Sequence, residues 1–206
     1  MTAHPQLPGR LWTPAEALED IAQSWPTQRS VRVYDGSFLA VDEEDVQGPD
    51  GDAFTRVVVR HRGAVGVVAL DDQDRVLMLR QYRHPVERRL FELPAGILDV
   101  AGESGQQTAA RELAEEAGVV ARDWSPLLDM WSSPGMTDEH WQVFCARSLE
   151  AVPQSEAADL AARVHEEADL EVVWVPLQEA VRAVLERRVC DSMAVAGVLA
   201  VAAAAT

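Results

Sequence analysis

The chain has 206 residues, enough for one domain with a sizeable core and some additional elements. Apolar residues make up 48% and charged residues 25% of it, which is the balance of an ordinary globular protein. A formal net charge of −16 would repel a phosphate backbone, so the composition argues against nucleic acid as a partner.

The first 61 residues are predicted to form one helix and a small β meander. Thr13 is a candidate N-cap and Pro14 suits the first helical position, which predicts an amphipathic helix over residues 14–23. Three β-rich runs separated by turn sequences follow, at residues 31–34, 38–46 and 54–60. A small sheet cannot easily bury both faces alone, so we expect this unit to form a dimer interface.

Residues 62–206 are predicted to form the main domain, and no Pro/Ser-rich linker precedes them. Two β-rich runs, 63–70 and 75–82, are joined across an acidic connection and predict a hairpin. Further strands are predicted at residues 90–93, 127–131, 141–146 and 170–175, and helices at residues 105–117, 177–188 and 192–204. This order favours an α/β fold with helices on the faces of a mixed sheet over a regular βαβ repeat.

Three features predict a cytoplasmic protein without a membrane segment. Cys145 and Cys190 are too few for a disulfide framework and indicate free thiols in a reducing compartment. Residues 1–10 have neither the basic nor the apolar run of a secretory signal. The apolar run at residues 194–205 is too short to cross a bilayer, and its alanines suit a helix packed on protein.

One predicted helix concentrates carboxylates. Ser104 and Gln107 match a capping box at its start, and Gly118 is suited to ending it. Within it, Glu112 and Glu116 are four residues apart and therefore share one helical face. Like charges at this spacing repel by roughly 0.2–0.5 kcal/mol per pair, and a hard divalent cation would turn the repulsion into binding. The alternative is a solvated acidic helix face.

The sequence around this helix resembles the Nudix box. In that pattern a glycine, five residues and a glutamate precede seven further residues and the run Arg-Glu-apolar-x-Glu-Glu-x-Gly-apolar. Here Glu103 is followed by seven residues and then by the complete run from Arg111 to Val119. The chain departs from the pattern once, because six residues separate Gly96 from Glu103. The resemblance extends over about residues 62–190.

The Nudix resemblance implies an α/β/α sandwich and hydrolysis of a nucleoside diphosphate linked to another group. It also implies a site for Mg²⁺, or alternatively Mn²⁺. The implied metal ligands are Glu112, Glu116, the carbonyl of Ala95 and, in an auxiliary role, Glu115. Arg111 would orient the carboxylates through charge-assisted hydrogen bonds.

Residues 80–83 and 90–96 resemble the ADP-ribose pyrophosphatase branch of the family, in its actinobacterial type. In this resemblance Arg83 binds phosphate, which a guanidinium grips through two hydrogen bonds. The alternative for Arg83 is a surface arginine at a strand end. Glu92 is either an acceptor for a substrate hydroxyl or an ion-pair partner of the nearby arginines.

A turn-rich loop lies between two predicted strands after the box. Its proline comes sixteen residues after Gly118 and resembles a marker of ADP-ribose hydrolases. The predicted substrate-binding residues of this loop are Ser133, Pro134, Gly135 and Met136. The alternative is a loop without a role in binding.

An acidic loop precedes the strand predicted at residues 170–175. A loop at this place supplies the catalytic base in the related enzymes, which predicts Glu166 or Glu167 as the base. Adjacent residues of an extended loop point in different directions, so only one can readily face the metals. We favour Glu167, and the sequence leaves open both residues and a merely solvated loop. The base would orient or deprotonate a water for in-line attack on the metal-bound diphosphate.

The predicted reaction is hydrolysis of ADP-ribose to AMP and ribose 5-phosphate by a homodimer, the common state of the resembled group. A rival within the family is hydrolysis of another dinucleotide or nucleotide sugar, such as diadenosine polyphosphate or GDP-mannose. A rival of another class is a non-catalytic ADP-ribose sensor. Such regulators usually lose box carboxylates or append a basic DNA-binding helix pair, whereas this chain keeps the glutamates and its C-terminal helices lack a basic face.

Overall fold

The structure is a computed structural model that describes residues 2–3, 5–153 and 169–204. Glu166 and Glu167, the predicted catalytic bases, lie outside the described residues and remain sequence predictions. Within the described residues no helix is long and apolar enough to cross a membrane.

In chain order, the described elements are nine strands, one α-helix, three further strands and two α-helices. The strands are β1 (Thr2–Ala3), β2 (Arg10–Leu11), β3 (Thr27–Asp35), β4 (Ala40–Gln47), β5 (Ala53–Arg60), β6 (Ala64–Ala69), β7 (Arg75–Arg83), β8 (Arg88–Glu92), β9 (Ala95–Ile97), β10 (Val119–Trp131), β11 (His140–Ala151) and β12 (Glu171–Pro176). The helices are α1 (Gly105–Ala117), α2 (Leu177–Leu185) and α3 (Ser192–Ala204), with a 3₁₀ turn at His84–Val86.

The main domain places its strands between two helical layers. A mixed sheet has the order β10-β11-β6-β9, with β11 and β6 parallel, and an antiparallel sheet has the order β12-β7-β8. Strand β6 alternates its side chains between two apolar clusters: Val67 packs with α1, whereas Val68 packs with α2 and α3. The predicted α/β class and the α/β/α arrangement are therefore confirmed.

Leu113 fastens α1 to the strands and is fully buried. We expect Leu113→Ala to lower the free energy of unfolding by about 2–5 kcal/mol, because the substitution leaves a cavity beneath the helix. The matched control is Leu185→Ala on α2, where the side chain is 69% exposed, and it should change the free energy by less than about 0.5 kcal/mol. Denaturant titration of both variants gives the comparison, and equal effects would contradict this account of the packing.

The predicted hairpin between β6 and β7 is wrong. Strand β6 pairs with β9 and β11, and β7 pairs with β8 and β12, so the two consecutive strands lie in different sheets. A single bridge between Leu70 and Val76 closes the connection between them. The reason is that both strands are apolar on both faces, and such strands take central positions between two layers.

The predicted helix over residues 14–23 is also wrong. Residues 14–16 form a turn, closed by the Glu16 N–H donating to the Thr13 carbonyl at 2.9 Å, and no regular structure follows before β3. Leu18 and Ile21 are 87% and 83% exposed. A helix of this length has little stability without tertiary packing, and no described residue covers its apolar face.

The predicted β meander in the N-terminal unit is confirmed as the antiparallel sheet β3-β4-β5. Its contact with the main domain centres on Arg60 at the end of β5. The guanidinium bridges Asp42 and Asp138 at 3.0 Å each and Glu44 at 2.5 Å. The hydrogen bond from Arg32, together with that from Arg60, lowers the pKa of Asp42 and keeps this carboxylate charged.

Candidate active site

The ends of α1 are fixed by the residues that the sequence marks as caps. The Ser104 hydroxyl accepts from the Gln107 N–H at 3.3 Å, and the Gln107 side chain accepts from the Ser104 N–H at 2.8 Å. Gly118 ends the helix at φ 65°, a left-handed conformation that suits glycine. The predicted capping box and helix end are confirmed, and they hold the box glutamates in a defined rotation.

Glu112 and Glu116 project from α1 toward β9. One Glu116 carboxylate oxygen accepts a hydrogen bond from the Ala95 N–H at 2.9 Å. Glu112 packs closely against Gly96: a Cβ atom added to Gly96 would lie 2.1 Å from the Glu112 carboxyl group. Both predicted ligands therefore lie beside Ala95, on one wall of a cavity of about 550 Å³.

Arg111 connects the carboxylates around this wall. Its guanidinium donates to Glu112 at 2.8 Å and to Glu115 at 3.1 Å, and it contacts Glu103 at 3.4 Å. Burial alone would lower the pKa of Arg111, but the hydrogen bond to Glu103 and the charge of Glu112 outweigh burial and raise it. These contacts support the predicted orienting role of Arg111.

Burial raises the pKa of Glu112, and the positive charge of Arg111 opposes this rise. Glu112 and Glu116 both line the cavity, whereas Glu115 does not and its side chain is 43% exposed. The structure therefore separates the two predicted main ligands from the predicted auxiliary one.

The two other residues singled out beside the box, Arg83 and Glu92, also line the cavity. Arg83 grips Glu92 with two nitrogens, Nε at 3.0 Å and Nη2 at 2.7 Å, and Gln81 donates to the same carboxylate at 2.8 Å. Glu92 is 6% exposed. Of the two alternatives for Glu92, the structure shows the ion pair with an arginine.

The predicted loop at residues 133–136 packs on the N-terminal sheet rather than on the cavity. The Met136 carbonyl accepts from the Val59 N–H at 2.8 Å, and Met136 is 55% exposed. Ser133, Pro134, Gly135 and Met136 are not among the residues that line the cavity of this chain. Glu139, at the end of the same loop, does line it.

Several cavity residues lie outside the predicted set of site residues, among them Phe38, His61, Glu139 and Asp191. His61 Nδ1 lies 3.5 Å from Glu139, and the ring of Phe38 contacts the imidazole edge-on at 5.0 Å. Asp191 accepts from the Ala194 N–H at 2.8 Å at the start of α3, and burial raises the pKa of its carboxyl group. The Asp-Ser pair before α3 is an N-cap signal that identifies Asp191 without indicating the cavity.

The family comparison agrees with this geometry. The NUDIX domain family matches residues 60–191, close to the 62–190 expected from the box. The chain belongs to the Nudix family. A protein named ADP-ribose pyrophosphatase from Mycobacterium tuberculosis is 46% identical over 180 residues, which cover 87% of this chain and 84% of that protein.

One further relative and one solved structure are similar to this chain. An ADP-ribose pyrophosphatase from Bacillus subtilis is 36% identical over 78% of this chain and 83% of its own length. A solved structure described as an ADP compounds hydrolase superposes with a TM-score of 0.71, covering 90% of this chain and 96% of that one. At 23% identity, the solved structure shows a shared fold.

Nudix hydrolases generally use divalent metal ions, and the residues present here fit one. Glu112 and Glu116 supply hard carboxylate oxygens beside the Ala95 backbone, and the absent side chain of Gly96 leaves the space that Glu112 occupies. The described residues contain no group of three or more His, Cys, Asp or Glu side chains that could hold an ion. Mg²⁺ sites use one or two protein carboxylates and complete their shell with water and phosphate oxygens.

Gly96→Ala tests the close contact between β9 and Glu112. The added methyl group would displace the Glu112 carboxylate, since 2.1 Å is far inside van der Waals contact. We expect kcat to fall by at least about tenfold, as for other losses of ligand positioning at metal sites, while the thermal midpoint of unfolding stays close to that of the parent protein. Unaltered turnover in a folded variant would show that Glu112 does not need this position.

Proposed function

We propose that this Nudix protein hydrolyses ADP-ribose to AMP and ribose 5-phosphate with Mg²⁺, which Mn²⁺ can replace. The observation that carries the proposal is the wall on which Glu112 and Glu116 lie against Ala95 and Gly96. The names of the relatives from M. tuberculosis and B. subtilis support ADP-ribose as the substrate.

The chain's own residues have distinct tasks in this mechanism. Glu112, Glu116 and the Ala95 carbonyl would hold the ion, and Arg111 keeps the Glu112 carboxylate oriented for it. When bound, the ion would supply positive charge to offset the charge that develops on the diphosphate. Glu167 or Glu166 takes the proton of the attacking water, whose oxygen bonds to one phosphorus as the bridging oxygen leaves with the other.

We also propose a cytoplasmic location and a small-molecule substrate without nucleic acid or membrane as partners. Cys145 and Cys190 are both free thiols in the structure, which suits a reducing compartment. The net charge of −16 opposes binding to nucleic acid.

A substrate panel tests the choice of ADP-ribose. We expect kcat/KM for ADP-ribose in Mg²⁺ to exceed the values for diadenosine polyphosphate and GDP-mannose by at least about 10²-fold, a difference of roughly 3 kcal/mol in transition-state binding. A higher value for either competitor would replace ADP-ribose with that substrate. Absence of turnover on every compound, with ADP-ribose still bound, would favour the sensor.

We propose a homodimer in which the sheet β3-β4-β5 forms part of the interface. Val31 of β3 and Val57 of β5 flank Glu43 of β4, so these two valines are on the same face of the sheet. Val57 is 56% exposed, and Val33 and Tyr34 are each 57% exposed. Exposed apolar residues concentrated on one small sheet are typical of an interaction surface. A second copy of the chain would cover both sheets at once.

Sedimentation at micromolar concentration should show a dimer for the parent protein. Val57→Lys should weaken dimerisation at least about tenfold, because it places a charge in the interface core. Val100→Lys, at a 50% exposed valine outside the sheet, is the matched control and should leave the dimer intact. A parent protein that is monomeric and fully active would refute the proposal.

A further inference from the structure

The charged walls of the cavity repel the substrate proposed for it. The lining carboxylates are Glu92, Asp99, Glu112, Glu116, Glu139 and Asp191. The lining arginines, Arg83 and Arg111, are both ion-paired, to Glu92 and to the box glutamates. A nucleoside diphosphate therefore needs metal ions and a cation that the protein has not already neutralised.

Arg88 lies on the cavity face of the β7–β8 hairpin. Side chains two apart in a strand share a face, so Arg88 is on the same face as Leu90 and Glu92, which both line the cavity. The register of the hairpin gives the same result. Arg88 is paired directly with Arg83, which lines the cavity, and paired residues of neighbouring strands share a face of the sheet. Val86, on the other side of Arg88 in the sequence, also lines the cavity.

Arg88 differs from Arg83 in its electrostatic state. Arg83 is partly buried and grips Glu92, whereas Arg88 is exposed and forms no ion pair with any residue that the structure describes. It is two residues farther out along the strand than Leu90, a distance of about 7 Å. Arg88 is not itself among the residues that line the cavity, so this spacing places it just beyond the lining, next to the outer end of the cavity, with its charge available to a ligand.

We propose that Arg88 is a substrate-binding residue that holds a phosphate oxygen of the nucleoside diphosphate at the outer end of the cavity. A guanidinium presents several donors to phosphate in a planar array and keeps its charge at any physiological pH. Arg88 would draw the anion to an otherwise acidic end of the cavity and would keep its contact with the phosphate while the diphosphate is bound at the metal-binding wall. This inference rests on the function proposed above.

The test compares Arg88→Gln with Arg187→Gln in steady-state kinetics on ADP-ribose and Mg²⁺ at low and high salt. Arg187 is also exposed and forms no ion pair with a described residue. It follows α2, and no residue within two positions of it lines the cavity, whereas Arg88 lies two positions from the lining residues Val86 and Leu90. Arg88→Gln should raise KM by roughly 10- to 100-fold at low salt, the range for a hydrogen bond to a charged group. It should leave kcat within about twofold, because the contact binds substrate and transition state alike.

Salt and a conservative variant complete the test. The increase in KM should shrink at high salt, where exposed charges are screened, and Arg88→Lys should restore part of the affinity. Equal KM values for Arg88→Gln, Arg187→Gln and the parent would overturn the proposal, as would a loss confined to kcat. If the parent protein does not hydrolyse ADP-ribose, the proposed function fails, and Arg88 is tested with the nucleoside diphosphate derivative that it does hydrolyse.

Discussion

Glu116→Gln is expected to lower kcat on ADP-ribose by about 10²-fold or more. A bound metal ion contributes several kcal/mol to stabilising charge in the transition state, and each 1.4 kcal/mol is a factor of ten. A neutral amide is a poor ligand for a hard cation. The fold should persist, because the amide oxygen of glutamine can still accept the hydrogen bond from the Ala95 N–H that Glu116 accepts at 2.9 Å.

The controls for this variant separate a local effect from a general loss of negative charge. Glu186→Gln removes an exposed carboxylate that pairs with Arg188 far from the box in sequence, and it should retain parental turnover. Glu115→Gln should have a milder effect than Glu116→Gln, since Glu115 is outside the cavity. Near-normal turnover of Glu116→Gln in Mg²⁺ would make the metal assignment wrong.

One of the variants Glu166→Gln and Glu167→Gln is expected to lower kcat by about 10²–10⁴-fold, the usual effect of removing a general base. Binding of ADP-ribose with Mg²⁺ should survive, because the predicted metal ligands Glu112 and Glu116 come from a helix that is capped at both ends. The other variant should be mild and serves as the internal control. Calorimetric titration beside steady-state kinetics measures both quantities.

A different base is required if neither single variant, nor the double variant, slows turnover tenfold. Glu115 and Glu139 are then the next candidates, and the structure distinguishes them. Glu139 lines the cavity beside His61, whereas Glu115 does not line it and pairs with Arg111. Glu139→Gln would then be the variant to measure first.

Local signals in the sequence predicted the box helix because its determinants are themselves local. Ser104, Gln107 and Gly118 set both ends of α1, and helical spacing alone places Glu112 and Glu116 on one face. The family pattern added Ala95, which is distant from Glu116 in the sequence but is hydrogen-bonded to it in the structure.

The features that sequence analysis missed depend on contacts between distant segments. The sequences of β6 and β7 are those of a hairpin, but each strand pairs with at least one strand that is distant in sequence. Residues 14–23 have the sequence signals of a helix but no surface to pack against, and they do not form one. Asp191 reaches the cavity because α3 packs across the sheet beside β8. No local pattern encodes that juxtaposition, so the N-cap signal at Asp191 could not indicate the site.

The most direct test of the proposed function is to identify the products formed from ADP-ribose and Mg²⁺ in ¹⁸O-labelled water. We expect AMP and ribose 5-phosphate in equal amounts, with one labelled oxygen on one of the two phosphates and no reaction after the metal is removed by chelation. Release of other products, or undiminished hydrolysis in the presence of excess chelator, would contradict the proposed function.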